Sequence, residues 1–186
     1  RDSLIAVRDP QCFRPLCLGR LGDATIITSE SCALDIIGAE YVRDIEPGEL
    51  VIVDERGIRS ERAFATEQQA KCIFVFIYFS RPDSKVFGEN VDKVRRKLGV
   101  VLARKHPVAA DIVIAVPDSS NTSSLGFAQT SGIPFEIGLI RNHYVGRTFI
   151  QPSQSQRDGT VRLKFNTVDG VLKGKRVAVV DDSIVR

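Results

Sequence analysis

The stretch Val177-Ala178-Val179-Val180-Asp181-Asp182-Ser183-Ile184-Val185-Arg186 decides the reading of the fold. Four consecutive small apolar residues, three of them β-branched, have the composition of a strand buried on both faces, as in parallel sheets. Such a strand delivers two adjacent carboxylates to its carboxyl end, where open α/β sheets bind their ligands. There the pair can accept hydrogen bonds from vicinal hydroxyls or hold a hard cation such as Mg2+ through oxygen. The backbone N–H groups that follow, with Ser183, suit a phosphate at a helix N-terminus. The combination points to a phosphorylated sugar. The plainer alternative is a solvated helix N-cap after a strand.

Upstream, the pattern alternates. Residues 111–116 are a second continuous β-branched run, followed by a Ser/Asn-rich turn and a helix-like stretch over 123–130 that ends near Gly132. Residues 90–105 have helical spacing, with Val91, Val94, Leu98, Val101 and Leu102 on one face, and residues 73–79 read as a buried strand. Short strands around 137–140 precede a polar segment over 151–160. Alternating strands and helices with uninterrupted Val/Ile runs predict an α/β parallel sheet covered on both faces. Residues 117–121 and 181–186 are therefore the places to look for a ligand.

Before a polar, unpatterned stretch at 65–70 the texture differs. Short β-like runs at 4–7, 24–28 and 50–53 alternate with the turn pairs Asp9-Pro10, Pro47-Gly48 and Arg56-Gly57. Ser31 starts a short helix over 32–38, closed by Gly38. This reads as the β-rich end of a layered α+β domain, with the boundary near residue 66.

Composition excludes several classes. With 43% hydrophobic residues and a net charge of +3 (26 Lys+Arg against 23 Asp+Glu), the chain is neither disordered nor collagen-like. The charge is too small and too diffuse for a nucleic-acid footprint, whereas small anionic molecules remain compatible with it. The longest apolar run, 72–79, is far short of the roughly 20 residues of a spanning helix. With no signal-peptide pattern at the start, no membrane is expected and a cytosolic or organellar chain is the default. The absence of any Met suggests an excerpt from a longer protein. Four Cys without a C-x-x-C pair suggest reduced, mostly buried thiols.

Val179-Val180-Asp181-Asp182-Ser183-Ile184-Val185-Arg186 resembles the phosphoribosylpyrophosphate motif of type I phosphoribosyltransferases, in the form used by the glutamine phosphoribosylpyrophosphate amidotransferases. Other segments resemble that family in the same order. They are Arg8-Asp9-Pro10 with Arg14-Pro15-Leu16, Ser29-Glu30-Ser31-Cys32-Ala33-Leu34, Pro47-Gly48-Glu49, Tyr78-Phe79-Ser80-Arg81-Pro82-Asp83-Ser84, Val116-Pro117-Asp118-Ser119, and Tyr144-Val145-Gly146-Arg147-Thr148-Phe149-Ile150. The resemblance spans the whole chain. It implies the C-terminal part of an N-terminal-nucleophile (αββα) glutaminase domain over 1–66, then the first half of a type I phosphoribosyltransferase domain over 67–186.

The resemblance implies that ammonia released from glutamine attacks C1 of phosphoribosylpyrophosphate, giving 5-phosphoribosylamine, glutamate and pyrophosphate, the first step of de novo purine synthesis. The glutaminase nucleophile of the family is an N-terminal Cys, which would lie upstream of Arg1, so the fragment alone is expected to be inactive. Asp181 and Asp182 would hold the ribose hydroxyls and Mg2+, and Ser119 would be a third group on the Mg2+ side. Ser183 to Arg186 would begin the loop for the 5-phosphate. Tyr144 would belong to a loop that closes over the substrate, with Arg147 as its contact to pyrophosphate. His143 reads as a surface residue. The matching Cys of one branch of the family ligates a [4Fe–4S] cluster and that of another does not, so both remain open for Cys72.

The family further implies a homo-oligomer and purine nucleotides as inhibitors, in the cytoplasm or a plastid. Two positions depart from its pattern: Cys12, where Gly is usual in a turn that favours positive φ, and Val75, where Glu is usual. The competing reading is a non-catalytic phosphoribosyltransferase-fold regulator that senses phosphoribosylpyrophosphate or nucleotides.

Overall fold

Antiparallel ribbons closed by tight turns dominate the first sixty residues of the computed structural model, which describes residues 2–65, 68–144 and 163–184. Strand β1 (Ser3–Val7) pairs with β5 (Glu49–Asp54), which pairs with β6 (Gly57–Arg62) across a two-residue loop whose exit, Gly57, has φ +100°. A second sheet runs β3 (Ala24–Thr28), β2 (Cys17–Leu21), β4 (Glu40–Asp44). Helix α1 (Ser31–Ile37) joins β3 to β4 and ends on Gly38 at φ +68°, the left-handed cap that glycine adopts without penalty. Ala6, Leu18, Ile45 and Val51 form the local core. The expected strands at 4–7, 24–28 and 50–53 and the helix after Ser31 are all present, and β2, β4 and β6 join them.

One buried cluster pins this region. Glu49 accepts two hydrogen bonds from the Arg43 guanidinium, at 2.6 and 2.9 Å, and further ones from the Ser60 hydroxyl and the Glu46 N–H. The Arg43 guanidinium, followed by these other donors, pulls the Glu49 carboxyl down to about 2 against the opposing effect of burial. Cys12 sits at φ +62°, so the turn where glycine is usual does adopt the left-handed conformation and carries a buried thiol there.

The expectation of a strand over 73–79 is corrected. Val75–Phe79 forms a π-helical turn in which the Ser80 N–H donates to the Val75 carbonyl at 3.0 Å. A short apolar run fits helix and strand equally, and among the described residues no strand pairs with this segment, so its backbone satisfies itself locally. Only Val75 is deeply buried, against Val86 and Val91, while Phe74 and Phe79 are half exposed. An apolar side chain at position 75 thus fills a core. A small hairpin follows, β7 (Lys85–Val86) and β8 (Glu89–Asn90), turned by Phe87 and Gly88, both at positive φ.

The chain divides into two compact units, Arg1–Val94 and Arg95–Arg186, and the division falls inside helix α2 (Val91–Lys105). In the second unit β9 (Ile112–Ala115) and β12 (Val177–Val180) pair in parallel, as the two β-branched runs predict. Helix α3 (Asn121–Ser131) follows β9 and ends on Gly132 at φ +73°. A further antiparallel pair, β10 (Leu139–Arg141) with β11 (Phe165–Thr167), and the single turn α4 (Asp169–Leu172) complete the described elements. Ala103, Val113, Phe127, Ala128 and Val180 make the core. Every residue of β9 is buried, but Val179 of β12 is 56% exposed, so full coverage of both faces holds only for β9.

The buried face of α2 is not the one its apolar spacing predicts. Val91, Arg95, Gly99 and Ala103 are buried, whereas Leu98, Val101 and Leu102 stay more than a third exposed. The reason is backbone contact: a Cβ on Gly99 would lie 1.8 Å from the Ser123 carbonyl oxygen, and one on Gly126 only 2.1 Å from that of Arg96. The closest approach of α2 to α3 is therefore set by missing side chains, not by the largest ones.

Candidate functional site

Parallel pairing in register is what assembles the site. Val180 lies opposite Ala115, and the Val116 N–H donates to the Val180 carbonyl at 3.1 Å. The two strands therefore end level, and the turns at 117–120 and 181–183 open from the same edge of the sheet. That is the place where α/β sheets take ligands.

The first turn is organised by buried hydroxyls. Ser120 is fully buried and its hydroxyl donates back to the Val116 carbonyl. The Ser120 carbonyl in turn accepts from the Ser124 hydroxyl (2.8 Å), the Ser124 N–H (2.9 Å) and the Ser123 hydroxyl (3.0 Å), which winds the first turn of α3. The Pro117–Asp118 peptide bond is cis. Ser119, one residue from this anchor, is half-buried.

Beside the turn lies a cavity of about 380 Å³ lined by Pro117, Asp118, Asn121, Phe135, Arg141 and His143 among others. Arg141, the last residue of β10, donates through Nη1 to the Asp118 carboxylate at 2.8 Å. Its Nε is buried and has no hydrogen-bond partner among the described residues. Asp118 appears in the sequence motif, but Arg141 carries no sequence signal beyond its place at a strand end before Tyr144.

Among the described residues, the side-chain bonds of the second turn run within it. The Asp182 N–H donates to Asp181 Oδ1 at 2.8 Å, and the Ser183 hydroxyl to Asp182 Oδ1 at 2.6 Å. Asp181 and Ser183 are exposed and Asp182 half-buried. The structure thus places Ser119, Asp181, Asp182 and Ser183 on two neighbouring turns, although none of the four lines the cavity. Tyr144 is fully exposed, its N–H bonded to Asn142 Oδ1 at 3.1 Å. Arg147 and Arg186 lie outside the described residues.

Among the described residues no three His, Cys, Asp or Glu side chains converge as a ready metal cluster. Two carboxylates and a hydroxyl on adjoining turns are nevertheless hard oxygen donors that suit Mg2+ arriving with a phosphorylated substrate, because this ion keeps waters and substrate oxygens as ligands. A [4Fe–4S] cluster at Cys72 would, as the family resemblance implies, draw its other three thiolates from beyond Arg186. Cys72 is half-buried against the Val75 cluster, and Cys12, Cys17 and Cys32 do not join it. Burial raises the pKa of all three, that of Cys17 to about 11, so near neutral pH they persist as neutral thiols.

No family model matches the chain. Curated proteins do. The chain is 51% identical over 184 residues to the amidophosphoribosyltransferase of Bacillus subtilis, covering 99% of this chain and 39% of that protein. It is 54% identical over 186 residues to the chloroplastic amidophosphoribosyltransferase 1 of Arabidopsis thaliana, covering 100% and 33%. It is 51% identical to the amidophosphoribosyltransferase of Archaeoglobus fulgidus, covering 100% and 40%. Among solved structures, the glutamine phosphoribosylpyrophosphate amidotransferase from Bacillus subtilis complexed with ADP and GMP superposes with a TM-score of 0.90 at 50% identity, over 99% of this chain and 40% of that one. The chain therefore spans a third to two-fifths of the length of the relatives it matches, and it is similar to them from end to end in both sequence and fold.

Proposed function

We propose that the chain is the portion of a glutamine-dependent amidophosphoribosyltransferase that closes the glutaminase domain, over 1–66, and opens the phosphoribosyltransferase domain, over 67–186. The observation that carries this reading is the level ending of β9 and β12, which sets a hydroxyl-anchored turn beside an adjacent pair of carboxylates. End-to-end similarity to amidophosphoribosyltransferases supports it.

The chemistry accounts for the residue types. Departure of pyrophosphate from C1 leaves an oxocarbenium-like sugar, so the site needs groups that orient the ribose and stabilise the leaving group more than it needs a strong base. Asp181 and Asp182 accept hydrogen bonds from the ribose hydroxyls, and the backbone N–H groups from Ser183 toward Arg186 receive the 5-phosphate. Ser119 and the 117–120 turn face the pyrophosphate, with Arg147 and Tyr144 completing its enclosure. Mg2+, when bound with the substrate at Asp181, Asp182 and Ser119, offsets the charge of the pyrophosphate. The nitrogen comes as ammonia from glutamine hydrolysed elsewhere in the whole enzyme. Purine nucleotides, which one superposed relative carries as ADP and GMP, are the inhibitors expected to compete there or nearby. A homo-oligomer in the cytoplasm or a plastid completes the reading, the plant relatives being chloroplastic. No helix among the described residues is long and apolar enough to cross a membrane. Cys72 keeps both readings open, a [4Fe–4S] ligand whose three partner thiolates come from outside this chain or a thiol without a cluster.

The test is pyrophosphate release by the full-length parent protein from Mg2+-phosphoribosylpyrophosphate, with glutamine, with ammonia and with neither, and with Asp181→Asn. Release that requires a nitrogen donor and collapses in the variant supports the transferase. Binding of phosphoribosylpyrophosphate without turnover under any donor overturns it in favour of a sensor.

A further inference from the structure

Within the first unit a single carboxylate oxygen holds together two segments more than fifty residues apart. Glu30, immediately before α1, accepts through Oε2 from the Arg81 backbone N–H at 2.9 Å and from the Ser84 hydroxyl at 2.8 Å, with the Cys32 thiol at 3.7 Å. The next residue repeats the link, the Ser31 hydroxyl accepting from the Lys85 N–H at 2.8 Å. Ser84 is fully buried and Ser31 nearly so, which shields their two bonds in part, while the bond from the Arg81 N–H lies exposed.

The Arg81-Pro82-Asp83-Ser84 turn held in this way is also the seat of α2. The Val91 N–H donates to the Ser84 carbonyl at 3.0 Å and the Asp92 N–H to the Pro82 carbonyl at 2.9 Å, so two of the otherwise unpaired donors of the helix start end on that turn. Its position is fixed from one side by Glu30 and Ser31 and from the other by α2. On the reading that residues 1–66 belong to the glutaminase part and residues from 67 to the transferase part, the Glu30 bonds tie the glutaminase part to the first residues of the transferase part inside the one unit Arg1–Val94.

We propose that Glu30 is a positioning residue for coupled nitrogen transfer: Glu30 Oε2, by holding the Arg81-to-Ser84 turn, keeps the glutamine-using part in register with the part that consumes the ammonia. The inference rests on the proposed function. Glutamine-dependent turnover then requires the Glu30 contacts, while turnover on added ammonia, which needs no register, does not. Both close donors meet the same oxygen, so an oxygen acceptor matters here and a negative charge does not.

The experiment compares pyrophosphate release by the full-length parent protein on glutamine and on ammonia, for wild type, Glu30→Ala, Glu30→Gln and Ser84→Ala. Glu30→Ala is expected to lower the glutamine-to-ammonia ratio about tenfold, a coupling of ordinary size. Glu30→Gln, which keeps an oxygen at that position, restores the ratio to within about threefold, and Ser84→Ala, which removes one of the bonds, lowers it about threefold. The ammonia rate and the KM for phosphoribosylpyrophosphate stay at their wild-type values. Should Glu30→Ala fail to fold, the milder Ser84→Ala and Glu30→Gln decide alone. A wild-type ratio in Glu30→Ala, or in Ser84→Ala where Glu30→Ala does not fold, overturns the inference, as does a parallel fall of both activities. Wild-type protein that releases no pyrophosphate on either donor overturns the functional reading itself, and the two failures are thus distinct.

Discussion

The turns at the carboxyl ends of β9 and β12 start level, yet they are built in opposite ways. The turn at 117–120 is wired into the fold: Ser120 is fully buried, its hydroxyl returns to Val116, and its carbonyl gathers three donors from α3. In the turn at 181–183 Asp181 and Ser183 are exposed, and among the described residues its side-chain bonds run between neighbours. The difference separates two tasks. One turn is positioned by the protein before any ligand arrives, and the other presents carboxylates whose geometry a bound sugar and its cation complete.

The largest effect that this contrast predicts is a loss of activity without a loss of structure. Asp181→Asn in the parent protein should slow pyrophosphate release about 100-fold to 1,000-fold, the scale seen when a group stabilising the transition state is removed. Its folding stability should change by no more than about 0.5 kcal/mol, because the side chain is exposed. Steady-state kinetics and urea denaturation read the two quantities separately. A variant that unfolds readily while retaining its rate would reverse the assignment of the turns.

Neighbouring serines should divide along the same line. Ser120→Ala deletes a buried donor and leaves the Val116 carbonyl short of a partner, which costs about 1–3 kcal/mol of stability. Ser119→Ala, one residue away and only half-buried, should leave the unfolding midpoint nearly unchanged and raise the KM for phosphoribosylpyrophosphate. Equal effects of the two substitutions on stability would show that the hydroxyl anchor extends over the whole turn.

How much of this was legible in the sequence depends on what kind of force sets each feature. The β-branched runs at β9 and β12, the carboxylates of Asp181 and Asp182, and the helix ends at Gly38 and Gly132 all express local chemistry, and the structure has them. The segment at 73–79 was misread because its apolar run fits two conformations, and the choice falls to whether a strand partner exists. The burial of α2 was misread because backbone contact at Gly99 and Gly126 outranks the Leu98/Leu102 stripe. Arg141 was not singled out, since an arginine at the end of a short strand gains meaning only from the Asp118 carboxylate that the fold sets against it.

The smallest predicted effects test whether being built in also governs the carboxylates. Glu49 and Asp111 are both pulled down to about 2, in each case chiefly by hydrogen bonds from an arginine, yet Glu49 is 8% exposed and Asp111 36%. A carboxylate whose folded-state pKa is depressed contributes stability that is fully present above its unfolded value, near 4, and lost as the pH falls toward 2. For Glu49, screened little, that contribution is about 2 kcal/mol, so Glu49→Gln should flatten the acid limb of the stability profile between about pH 4.5 and 2. For Asp111 the partner, Arg176, is 69% exposed, and solvent and salt screen the pair. Arg176→Gln should therefore change the same limb only slightly at low ionic strength and not at all in about 0.5 M salt, where the Debye length is shorter than the reach of an exposed charge. Urea midpoints measured across that pH range at two salt concentrations check both. A salt-insensitive loss in Arg176→Gln as large as that in Glu49→Gln would mean that the amino ends of β9 and β12 are held as firmly as the Glu49 cluster, and that exposure is not what distinguishes the two pairs.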